Sequence, residues 1–210
     1  MASLNMESLF GWVATTFAVY WIVFFIRGFL KDYRGRQNFG WAILVCGALV
    51  VIGAVGFFGQ MLLAIDVIKI PKSVEWPAGY VKGVIATQEG LNVVPLEPSG
   101  RVQVYDRDWH FLHGWHIDAS GGSFKVLSTR PGIIEVFTGR GRRHFTYSED
   151  GQLLASEAPY VESIAAIDNG GIATTVPTKS FLWPFSSPFL SWALVLIGFL
   201  GIWIIKKSAA

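Results

Sequence analysis

Charge is scarce in this chain, and cysteine is scarcer. Only 15% of the 210 residues are Asp, Glu, Lys or Arg, against about 25% in an average soluble domain, while 52% are apolar. The single cysteine, Cys46, excludes an intramolecular disulfide framework and any multi-cysteine metal or iron–sulfur site. A formal net charge of +2, from 17 basic against 15 acidic residues, makes no case for nucleic acid. The chain also lacks a Gly-x-Ser-x-Gly elbow, a His-Glu-x-x-His pair and the Gly-Lys-Ser/Thr ending of a phosphate loop. No catalytic motif argues for an enzyme.

What the chain does have is three long apolar runs, residues 9–26, 39–65 and 181–205. Each approaches or exceeds the roughly 20 residues needed to cross a hydrocarbon core, so all three read as transmembrane helices. Trp12, Trp21, Trp41, Trp183, Trp192 and Trp203 include several near the run ends, where amphipathic rings favour the interface. Ser187-Pro188 reads as an N-cap and first helical position for the last helix. Arg27, Lys31, Arg34 and Arg36 fill the loop 27–38, and Lys206 and Lys207 the tail 206–210, whereas residues 1–8 carry no base. The positive-inside rule then places the loop 27–38 and the C-terminus in the cytoplasm, and the N-terminal tail and residues 66–180 outside. The expected location is an integral membrane position, taken as a bacterial inner membrane. None of the three runs contains His, Asp, Glu, Lys or Arg, so no haem-ligating histidine or proton relay is expected within the bilayer. No cofactor is expected.

Residues 66–180 hold 24 of the chain's 32 charges. Short alternating runs separated by Gly, Pro, Asn and Asp mark strands and turns, so this segment is expected to be one all-β extramembrane domain. Asn169-Gly170-Gly171 is read as a further hairpin turn. A gapless shift of 42 residues pairs Val84 with Val126, Gly90 with Gly132, Arg101 with Arg143, Tyr105 with Tyr147, Asp108 with Asp150 and Leu112 with Leu154. Residues 83–118 and 125–160 are therefore expected to be two four-stranded repeats, forming a sandwich or a partial propeller. Ile172-Ala173-Thr174 echoes Ile85-Ala86-Thr87 and suggests the start of a third unit. The stretch Gly-Arg-Val-Gln-Val-Tyr-Asp-Arg-Asp-Trp-His-Phe-Leu at 100–112 resembles the end of an NHL-type β-propeller repeat, with Trp109 where that pattern usually has Gly and with Gly151 in the second copy. The resemblance implies architecture and partner binding rather than catalysis.

Three groups of residues are candidates for chemistry or contact. His110, His113 and His116 fall within seven residues, and imidazole is a common metal ligand. On a regular strand, however, His113 faces away from the other two. Arg140, Arg142 and Arg143 crowd one glycine-flanked hairpin suited to an anion or a lipid headgroup. Gly47, Gly53, Gly56 and Gly59 give the second apolar run a face on which another helix can approach closely. Asp106 and Asp108 fit the capping of a tight turn. Together these features suggest a non-catalytic accessory subunit of a larger integral membrane complex, respiratory or photosynthetic among the options. Its partners would be other membrane subunits and lipids. The alternative is an extracytoplasmic ligand- or metal-binding receptor domain anchored by three helices.

Overall fold

The computed structural model describes residues 40–157, 160, 163–177 and 180–208, with Thr16, Tyr20, Val23 and Arg27 ahead of them. The chain divides into two units, Met1–Leu62 with Ser187–Ala210, and Leu63–Ser186.

In the first unit, helix α1 spans Gly40–Ala64 and helix α2 spans Pro188–Ser208. Their 25 and 21 residues correspond to about 37 and 31 Å at about 1.5 Å per residue. Both are long and apolar enough to cross a membrane. Of the first expected span, 9–26, only Thr16, Tyr20 and Val23 are described, and they are helical; the rest of that span lies outside the described residues. The last span begins later than its apolar run. A 3₁₀ turn occupies Ser180–Phe185, and α2 starts at Pro188, where the Ser187 hydroxyl accepts the Phe189 N–H at 3.3 Å. Pro184 and Pro188 both lack the donor that a helix interior needs, and only position 188 falls in a first turn, where the loss is free.

Among the described residues the second unit contains nine strands: β1 Gly79–Ala86, β2 Asn92–Leu96, β3 Arg101–Tyr105, β4 Phe111–His116, β5 Phe124–Arg130, β6 Ile133–Thr138, β7 His144–Ser148, β8 Leu153–Glu157 and β9 Ile172–Val176. They form two antiparallel sheets, ordered β4-β3-β2-β1-β9 and β5-β6-β7-β8. The sheets share one core built from Ile85, Val93, Val102, Val104 and Trp115 of the first and Phe124, Val126, Ile134, Val136, Phe145 and Tyr147 of the second. They do not close into a propeller.

The backbone repeats at the 42-residue offset. Leu112 is the extra residue between β3 and β4, and Leu154 the extra residue between β7 and β8. Positive-φ positions recur in pairs: Gly79 and Gly121, Gly90 and Gly132, Gly100 and Arg142, Trp109 and Gly151. Tyr105 and Tyr147 are both buried. The side chains do not follow throughout. Arg101 is fully buried, whereas Arg143 is exposed and pairs with Asp118.

Strand pairing makes the two sheets stack head to tail. Val93, Val102, Val104 and Trp115 face the shared core, and their equivalents 42 residues on are Glu135, His144, Thr146 and Glu157 on the outer face of the second sheet. That outer face is polar, as the terminal face of a repeat stack must be. Ile172 does not open a third unit. The strand it begins pairs antiparallel with β1 and widens the first sheet to five strands. Nor is Asn169-Gly170-Gly171 a hairpin turn. The Asn169 carboxamide donates to the carbonyls of Gly83 in β1 and Val126 in β5, both at 3.3 Å, so one side chain stitches the sheets together.

Candidate functional site

The three clustered histidines occupy three different environments. The bulge at Leu112 offsets Phe111 from His113, and His110 lies ahead of β4, exposed, with Nδ1 3.0 Å from Asp106 Oδ2. His113 turns toward the second sheet, where its Nε2 lies 2.6 Å from the Glu149 carbonyl and its ring stacks on Trp115. His116 faces the opposite side of the sheet, and its Nε2 accepts the Ile70 N–H at 2.8 Å. Burial, reinforced by the Arg101 charge, holds its pKa below the usual histidine value. A neutral ring is what an accepting Nε2 requires. His110, His113 and His116 therefore do not converge on one ion.

A different set does converge. Donor atoms of Asp106, Asp108 and His110 lie within 4.8 Å of one another at the exposed β3–β4 turn. Asp106 Oδ1 also accepts the N–H groups of Asp108 at 2.9 Å and His110 at 2.8 Å. These bonds lower its pKa, the His110 N–H contributing most. Turn formation thus accounts for the carboxylate that the spacing placed there. The fourth histidine, His144, stacks on Phe137 with centroids 4.3 Å apart. It stands between Glu135 at 3.8 Å and Glu157 at 3.6 Å, on opposite ring nitrogens.

The arginine hairpin is tied to the loop joining the repeats. Arg140 Nη1 donates to the Ser120 carbonyl at 3.0 Å, and Arg143 forms an ion pair with Asp118. Arg142 is exposed at the tip with φ +48°. The same loop touches the end of α1, where the Gly121 N–H donates to the Ala64 carbonyl at 3.0 Å. A side-chain carbon added at Gly121 would meet Ile65 at 3.4 Å and the Arg140 guanidinium at 3.7 Å.

Helix packing divides the glycines of α1. A Cβ at Gly53 would lie 2.8 Å from Val195 Cγ2, so this position is filled by α2. Gly47 and Gly56 are buried. A Cβ at Gly59 would meet nothing within 4 Å among the described residues. From the other side, a Cβ added at Gly198 would lie 2.6 Å from the Cys46 carbonyl oxygen and one at Gly201 2.5 Å from Cys46 Sγ. The Gly-x-x-Gly spacing in the last apolar run signals this contact, although attention to α1 alone overlooks it.

Sequence reasoning also misses the most buried polar feature. Alternate residues of β3, Arg101, Gln103 and Tyr105, clamp the segment that leads from α1 to β1. Arg101 Nη1 donates to the Ile70 carbonyl at 2.9 Å, and Nη2 to the carbonyls of Pro71 at 3.0 Å and Val74 at 2.9 Å. Gln103 exchanges two bonds with the backbone of Trp76, at 2.6 and 2.8 Å. Tyr105 OH accepts from Gln103 Nε2 at 2.9 Å and donates to Glu75 Oε1 at 3.3 Å. Burial pulls the Arg101 pKa down to about 10 and pushes Tyr105 well above the usual phenol range. In a repeat stack this face would meet a preceding unit; here the segment 70–76 covers it.

Compared with protein-family models, curated proteins and solved structures, the chain matches none.

Proposed function

We propose that the chain is a non-catalytic accessory subunit of a larger integral membrane complex, held by its apolar helices and presenting its β domain on the extracytoplasmic side. One observation carries the reading. The small-residue seam of α1 is filled by α2 at Gly53 and has open space among the described residues at Gly59, and small residues are what a second helix needs for close approach within lipid. The resemblance of residues 100–112 to an NHL-type repeat agrees with a binding role for the β domain. Energy-transducing respiratory or photosynthetic assemblies are the kind of complex proposed. The competing reading is an extracytoplasmic ligand- or metal-binding receptor domain; its histidine triplet is dispersed over three environments, and the arginine hairpin is what supports it.

Purification in a mild detergent followed by native mass measurement tests the proposal. The expected result is co-purification with other integral membrane proteins, lost on Gly59→Leu in a chain whose β domain still melts normally. Isolation as a lone 23.2 kDa chain would overturn it.

A further inference from the structure

We propose that the arginine hairpin binds the phosphate of an anionic phospholipid headgroup at the membrane surface where α1 ends. This inference does not depend on the accessory-subunit reading. It begins with placement. Ala64 is the last residue of an apolar helix able to cross a membrane, and it belongs to the β unit. The Ala64 carbonyl accepts the Gly121 N–H, and the position of a Gly121 side chain lies 3.4 Å from Ile65 and 3.7 Å from Arg140. The Arg140 guanidinium therefore stands beside Ala64 and Ile65, the residues at which the apolar helix ends.

Charge is the second element. Near this end of the β unit, Asp66 is paired with Lys69 at 2.9 Å and Asp118 with Arg143. Arg140 is bonded to a carbonyl rather than a carboxylate, and Arg142 is exposed at the tip. Among the described residues these acids are matched to other bases, and Arg140 and Arg142 are left in excess on one hairpin. Guanidinium forks suit phosphate oxygens, and basic residues at an anionic surface each strengthen attraction to it.

The backbone supplies the third. Arg142 adopts φ +48° at the position where the first repeat has Gly100 with φ +57°. A left-handed conformation is strained for a residue with a side chain. The second repeat thus carries a long cationic side chain where the equivalent turn uses glycine, which is unexpected for a turn with only a structural task.

The test is native mass spectrometry of the delipidated full-length chain titrated with dihexanoyl phosphatidylglycerol or dihexanoyl phosphatidylcholine. Phosphatidylglycerol should bind more tightly, and Arg140→Gln with Arg142→Gly should weaken it about 30-fold, about 5-fold for each arginine, leaving phosphatidylcholine unchanged. Arg142→Gly alone, which places glycine on a backbone suited to it, should give about 5-fold without a fall in melting temperature. Equal phosphatidylglycerol affinity in the wild-type and double-variant chains would overturn the proposal. So would an equal loss in Lys206→Gln/Lys207→Gln, because the effect would then be one of general charge. Displacement of the lipid by an equal concentration of inorganic phosphate would also overturn it, since the site would then serve a free anion.

Discussion

Arg101 reaches three backbone carbonyls from a fully buried position, which makes it unlike an arginine in a surface ion pair. Truncation would remove three hydrogen bonds from a charged donor, each contributing about 1.5–3 kcal/mol. Arg101→Ala should therefore destabilise the β domain by at least about 3 kcal/mol, read from tryptophan fluorescence during denaturant unfolding of the full chain. Arg143→Ala at the equivalent position should cost less than about 1 kcal/mol, because its pair with Asp118 is exposed. His116 adds a pH dependence. Its folded pKa lies below its ordinary value, so below about 6.5 the unfolded chain binds a proton that the folded one resists. Stability is then lost as pH falls through that value, and the loss levels off below the folded pKa. Melting at pH 7.5 and 5.5 should show a smaller difference in His116→Gln than in the wild-type chain.

Elements follow the local code more faithfully than single side chains do. The 42-residue repeat was legible because turn chemistry and strand alternation act over a few residues, and both copies retain them, including the bulges at Leu112 and Leu154. Arg101 was not legible as a clamp, since its partners are carbonyls and any residue supplies a carbonyl. β9 is not legible as an edge strand for a related reason: Ile-Ala-Thr specifies a strand but not the edge it joins, and only the open side of β1 decides that. The histidines were grouped by spacing and separated by a bulge. At the hairpin tips, Gly151 has φ +73°, and a Cβ there would lie 2.5 Å from the Trp115 ring. Gly151→Ala should cost roughly 2 kcal/mol or more through strain and overpacking, whereas Gly132→Ala, with nothing among the described residues within 4 Å, should incur the strain alone. Thermal melts of the two variants separate these contributions. In the helices, Gly53→Leu should disrupt the α1–α2 pair, seen as reduced cross-linking between cysteines placed on the two helices.

For the whole molecule, the proposed orientation can be read by labelling. In a Cys46→Ala background, Thr129→Cys should react with a membrane-impermeant thiol reagent in intact cells, and Ser208→Cys should react only after lysis. The reverse pattern would place the β domain in the cytoplasm. Sheet pairing also sets an order of events during synthesis. Val84 pairs with Ile172, 88 residues later in the chain, and at about 5–20 residues per second that separation represents roughly 4 to 18 s. During this interval β2 to β4 can pair, while the outer edge of β1 remains open, a template for any other strand that meets it. Only 11 residues separate the end of β9 from the start of α2. The last strand is thus made immediately before the last helix, and an insertion machinery that engaged α2 early would draw on the same short tether that β9 needs to reach its partner. Lengthening the 177–187 connection should therefore raise the yield of folded protein when synthesis is fast, and shortening it should leave β1 exposed to aggregation.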